Sequence, residues 1–250
     1  MKFIIDLDGP VLDPRKRLLR AYVGVTGTVG RQALAENVAY RLIRSGVPDG
    51  QLLRGAKPDE LREFRRLFDE AAEQDENITL CEEQAHVGEA LTRLKKTGEL
   101  ILVTTGSNRF ARQLVLDKLD LSIHFSRMLA LSPEANLRVS QLGELADGDD
   151  RVVVACASET LARSAHQAHM LPVAIANGAC DDIRMTRVGA QLVFADLGEL
   201  ANDVEGGSSK LIQAGLLPPQ HNAVRNPFLE PQHSSSGYRG RRGARNRMRR

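Results

Sequence analysis

Residues 1–13 read MKFIIDLDGPVLD. An apolar run, Phe3-Ile4-Ile5, ends on Asp6, and Asp8 and Gly9 follow at once. Residues i and i+2 of an extended chain face the same side, so the two carboxylates share one side at the end of a first strand. Two like charges that close repel unless something positive lies between them. Such a pair can hold a divalent cation, or it can divide labour as nucleophile and general acid/base. An N-capping aspartate at a helix start is the plain alternative, because a lone D-x-D is a weak signal. Gly9 lets the chain turn sharply straight afterwards.

The rest of the chain repeats the same theme of short, unbroken apolar runs. Glu99–Thr104, Arg127–Leu131, Arg151–Ala155, Pro172–Ala176 and Gln191–Phe194 read as further strands. Runs without alternation fit a parallel sheet covered on both faces. Helical patterns at His86–Thr97, Asn108–Leu119 and Ser158–His169 lie between them. Alternating strand and helix predicts a doubly wound α/β domain. One connection is far too long. About 85 residues separate Asp13 from Glu99, and they read as helix, at Arg15–Val25, Arg31–Arg44 and Pro58–Glu73. In the last of these, Leu61, Phe64, Leu67, Phe68 and Ala71 fall on one helical face. A crossover needs only about a dozen residues. The excess predicts a helical insertion over the first strand's end, where open α/β sheets bind ligands. The expected division is therefore a core over 1–13 and 86–205, a helical cap over 14–85, and a tail over 206–250.

Hydrophobic residues make up 42% of the chain and charged residues 26%, an ordinary globular composition. The net charge of +2 hides an asymmetry, because seven arginines and no acid follow Tyr238. Subtracting those seven leaves a body of −5. The tail composition predicts disorder from Gly206, with a short docked piece at Leu211–Leu217. Tyr238–Arg250 is either a solvated tail or a segment that holds RNA or another polyanion through its arginines. Cys81, Cys156 and Cys180 form no C-x-x-C, and the odd count suggests a reducing compartment. No apolar run approaches the ~18 residues of a membrane span, and no secretory pattern opens the chain. These features are read as a cytoplasmic protein with no membrane partner.

DLDGPVLD resembles the first motif, D-x-D-G-x-x-x-D, of the haloacid dehalogenase superfamily. ILVTTGSNR resembles its second, with Thr104 at the Ser/Thr position. PVAIANG and VGAQLVFADLGEL resemble its last strands and final acidic helix. The likeness covers roughly residues 1–205 and is nearest to phosphatases of the phosphoglycolate phosphatase type. It implies that Asp6 attacks a phosphoryl group to form an aspartyl phosphate. Asp8 then serves as acid and base, and Thr104 bonds a phosphate oxygen. Gly9, Thr105 and Gly106 line the substrate side. Mg²⁺ would be held by Asp6, by Asp8 at its backbone carbonyl, and by an acid of the fourth motif. In that motif the sequence departs, because VVVACASET puts Cys156 where the metal-binding aspartate belongs, and a thiol does not suit Mg²⁺. Glu159 is the remaining acid of that loop. Asp181 and Asp182 are a second source, unless they simply open a helix. The third motif's lysine is also missing, with Arg138 the nearest base in register and Arg127 earlier. The resemblance therefore implies a phosphatase of a small phosphomonoester, with Mg²⁺ weakly held or absent if the fourth motif is lost. The competing expectation is a catalytically impaired binding or scaffold protein with a polyanion-binding tail.

Overall fold

The computed structural model describes residues 1–146, 151–178, 180–206 and 210–214. The chain begins with β1 (Lys2–Asp6) and the two-residue β2 (Leu12–Asp13). Five helices follow: α1 (Arg15–Thr28), α2 (Glu36–Ser45), α3 (Asp49–Leu52), α4 (Pro58–Ala72) and α5 (Asp75–Ile78). Then come β3 (Glu82–Glu83), α6 (Val87–Thr97), β4 (Glu99–Thr104), α7 (Arg109–Lys118), β5 (Arg127–Ala130) and α8 (Ala135–Ala146). The described chain closes with β6 (Val152–Cys156), α9 (Glu159–Gln167), β7 (Leu171–Ile175), α10 (Asp182–Arg187), β8 (Leu192–Phe194), α11 (Leu197–Gly206) and α12 (Lys210–Gln213).

Six strands form one parallel sheet in the order β5-β4-β1-β6-β7-β8. The expected α/β doubly wound class is therefore the observed one, and β1 lies near the centre. Alternate strand residues feed two apolar layers. Phe3, Ile5, Leu100, Leu102, Val153 and Ala155 join α6, α7 and α11 on one face. Ile4, Ile101, Val103, Val154 and Cys156 join α8, α9 and α10 on the other. Both faces are covered, so a strand with polar alternation would bury unpaired polar groups on one side. This is why the strands read as unbroken runs.

The helical insertion carries a core of its own. Leu18, Tyr22, Leu53, Phe64 and Phe68 are buried together, apart from the two sheet layers. Phe64 meets the edge of Tyr22 at 6.2 Å and stacks on Phe68 at 5.9 Å. Each such side chain contributes roughly 1.5–3 kcal/mol by burial, so the insertion supports its own shape. The antiparallel pair β2–β3 ties its two ends together at the base. The tail's expected docked piece is present in part: Leu211 of α12 is buried in the first apolar layer. The expectations for Tyr238–Arg250 lie outside the described residues. Among the described residues no helix is long and apolar enough to cross a membrane.

Candidate active site

The loops after β1, β4 and β6 meet at the carboxyl end of the sheet. Gly9 has φ +113°, which a side chain rarely tolerates, and an added Cβ would lie 2.4 Å from Ala157 Cβ and 2.8 Å from Gly178 Cα. Only glycine lets the β1, β6 and β7 loops touch there.

Asp6 is 1% exposed. It accepts hydrogen bonds from Ser158 Oγ at 2.9 Å and from the Ala157 amide at 3.4 Å. Burial pushes its carboxyl up to about 7, and the charge of Asp8 adds to the rise. The bonds from Ser158 and Ala157 and the charge of Arg112 pull the other way without winning.

Asp8 behaves in the opposite sense. Burial alone would raise it, but Arg17 and then Arg112 hold it below the ordinary carboxylate value. Asp8 Oδ2 takes Arg17 Nη2 at 2.9 Å and Arg112 Nη2 at 3.2 Å. Glu73, at the end of α4, grips Arg112 through two 2.7 Å bonds. Its Oε2 also accepts from the Asn108 amide at 3.1 Å and from Ser107 Oγ at 3.2 Å. The Glu73 carboxyl is lowered despite burial, chiefly by Arg112. With Asp6 protonated, the charges of Asp8 and Glu73 balance those of Arg17 and Arg112.

Thr104, 1% exposed at the end of β4, accepts from the Gly106 amide at 3.1 Å. Gly106 lies against the Arg112 head, since an added Cβ would sit 2.2 Å from Nη2. Asp6, Asp8, Gly9, Thr104 and Gly106 thus fall in one region, with Thr105 between the last two. Arg138 and Glu159 have other partners. Arg138 is buried and donates to Ser164 Oγ at 2.8 Å and to the Ser132 and Pro133 carbonyls at 2.7 and 3.0 Å, joining α8 to α9. Glu159 pairs with Arg184 at 2.8 Å. Neither hydrogen-bonds or ion-pairs with Asp6 or Asp8. Asp181 caps α10 by accepting from the Arg184 amide at 2.9 Å, and Asp182 Oδ1 takes the Ile183 amide at 3.0 Å.

The sequence reading missed Arg17, Arg112, Glu73 and Ser158. Arg112 carried a visible signal, because it sits in the buried stripe Ala111, Val115, Leu116 of α7, where an unpaired charge is costly. Ser158, before a first-turn glutamate, carried an N-cap signal. Arg17 and Glu73 come from the insertion, and no local pattern announces that they reach the sheet.

Three kinds of comparison bear on this geometry. No family model matches the chain, and no curated relative does. Solved structures do match. A haloacid dehalogenase-like hydrolase from Streptococcus pneumoniae superposes with TM-score 0.63 at 14% identity, over 80% of this chain and 95% of that one. A predicted phosphatase from Clostridium acetobutylicum gives 0.64 at 12% identity, over 82% and 98%. A predicted phosphoglycolate phosphatase from Haemophilus somnus gives 0.58 at 20% identity, over 79% and 95%. The chain has the fold of the haloacid dehalogenase-like hydrolases.

That fold family implies a divalent cation, and the donors present do not fit one. Asp8 Oδ1 is buried without a hydrogen-bond partner, and both bonds to Asp6 fall on its Oδ2, so each carboxylate has one oxygen to offer a cation and a third acid is still needed. The β1–β6 register pairs Ile5 with Ala155, so the next step sets Cys156 beside Asp6. Cys156 is fully buried in the apolar layer, donates to the Val154 carbonyl at 3.3 Å, and has its thiol pushed well up by burial and then by Asp6. Glu159, Asp181 and Asp182 are engaged as described, so the expected third acid is not supplied. No group of three His, Cys, Asp or Glu among the described residues could hold a metal. Two guanidiniums already sit on Asp8 and repel a dication.

Proposed function

We propose that this chain hydrolyses a small phosphomonoester through an aspartyl phosphate on Asp6, with the insertion over 14–85 acting as its cap. The observation that carries the reading is the pair Asp6 and Asp8 at the end of the central strand, Asp6 buried and Asp8 part-buried, with Thr104 at the end of the neighbouring strand. Two carboxylates placed this close can divide nucleophile and acid/base roles. Near neutral pH the pair holds about one proton. At rest that proton sits on Asp6, so it passes to Asp8 first; the ionised Asp6 then attacks phosphorus, the ester P–O bond breaks, and Asp8 gives its proton to the leaving oxygen. Water then attacks the aspartyl phosphate, Asp8 accepts its proton, and inorganic phosphate leaves with Asp6 restored. The Thr104 hydroxyl, which accepts from Gly106, keeps its hydrogen for a phosphoryl oxygen. Ser158 and the Ala157 amide orient Asp6.

The test is release of a generic aryl phosphate by wild type and by Asp6→Asn. Turnover in wild type with loss of at least about a thousandfold in Asp6→Asn is expected, since removing a nucleophile removes the chemical step. Equal rates in the two proteins would end this reading.

A further inference from the structure

We infer that Arg17 and Arg112 form a metal-free seat for a tetrahedral oxyanion beside Asp6, in the place where the fold family's cation would act. The inference rests on reading the site as a phosphoryl site, but not on turnover. Arg17 and Arg112 are 5% and 1% exposed, so neither is a surface cation gathered by chance. Both guanidiniums bond the same Asp8 oxygen, which brings the two heads together. Their remaining capacity is unspent. Arg17 Nε and Nη1 and Arg112 Nε are buried with no hydrogen-bond partner among the described residues. Arg17 Nη1 stands 4.0 Å from Glu73 Oε1, an ion pair too long for a hydrogen bond.

Buried N–H groups left unpaired are costly, and on a guanidinium they suit the oxygens of a phosphoryl group. These nitrogens are distinct from the two that Arg112 gives to Glu73, so pairing them with an oxyanion would spend neither of those bonds. The two arginines also come from different parts of the chain. Arg17 belongs to α1 of the insertion, and Arg112 to α7 of the sheet domain. An anion bound to both therefore bridges the insertion and the sheet. Glu73 is a positioning residue here, since it holds Arg112 and touches no ligand itself.

The full chain is titrated calorimetrically with inorganic phosphate, once in EDTA and once with excess Mg²⁺. Equal affinity under the two conditions is expected. Arg17→Gln and Arg112→Gln should each weaken binding roughly tenfold to hundredfold, the loss of charged hydrogen bonds. Asp6→Asn should retain binding. A chain that binds phosphate in this way yet hydrolyses nothing would end the hydrolase reading and leave the seat standing. Binding that requires Mg²⁺, no binding at all, or undiminished binding in both arginine variants (as the tail arginines alone would give) overturns the inference. Where a glutamine variant fails to fold, NMR of the wild type decides. The Arg17 and Arg112 Nε–H signals must shift with phosphate in EDTA, and unshifted signals overturn the seat.

Discussion

The loops after β1 and β6 leave neighbouring central strands in register, yet they have gone opposite ways. The β1 loop keeps both carboxylates, burying Asp6 and leaving Asp8 part-buried. The β6 loop puts a thiol into an apolar layer where an acid was expected, and it contributes only Ser158 and an amide to Asp6. Positive charge for the β1 loop comes instead from Arg17 in the insertion and Arg112 in α7. A buried acid pair has to be compensated, but the fold leaves open whether an ion or a side chain does it.

The sharpest way to break this comparison is Arg112→Gln. It leaves Asp8 and Glu73 short of a buried partner, and loss of a buried pair costs on the order of 3–5 kcal/mol. Urea unfolding at neutral pH measures this; a change under about 1 kcal/mol would mean that Arg112 does not balance these acids.

Asp6 supplies the pH dependence. Its folded value of about 7 lies above the ordinary carboxylate value of 3.8, so the folded state holds the proton more tightly. Stability from this group is full below the unfolded value and is lost as pH rises through the folded one. Asp6→Asn, neutral throughout, should therefore gain on wild type by up to about 4 kcal/mol between acid and about pH 8. A wild-type-to-variant gap that stays flat with pH would remove the raised Asp6 from the account. Asp8, held low by its arginines, runs the other way and loses stability as pH falls through its folded value.

Cys156→Asp tests the β6 loop. A third carboxylate beside Asp6, inside an apolar layer, should cost roughly 2–3 kcal/mol at neutral pH, against under about 1.5 kcal/mol for Cys156→Ser. If thermal melts show the two variants equally stable, the loop has room and charge for an acid after all. The smallest effect is expected for Glu159→Gln. Its pair with Arg184 is partly exposed, at 33% and 20%, so about 1 kcal/mol or less is at stake. Phosphate release should stay at the wild-type rate, and a large drop would bring Glu159 back to the site.

Much of this was legible in the chain. FIID, ELILVT, RMLA, VVVA, PVAI and LVF showed as strands because a sheet covered on both faces tolerates no polar alternation. The Asp6-x-Asp8-Gly9 spacing showed as a site because two adjacent acids and a turn-forming glycine are local features. Place in sequence points to Arg138 as the basic partner, but its guanidinium binds Ser164 and two carbonyls instead. Sequence distance carries no information about which buried cation finds which buried acid. Arg112 reaches Asp8 from 104 positions away and Glu73 from 39.

By itself, then, the sequence determined the layered α/β fold, the helical insertion and the acid pair, since each rests on local periodicity, local spacing or the length of one connection. Only the tertiary structure decided how that pair is neutralised. Ion pairing among buried groups depends on which elements pack together, and here the insertion and α7 bring two arginines onto Asp8 while β6 brings only a thiol beside Asp6.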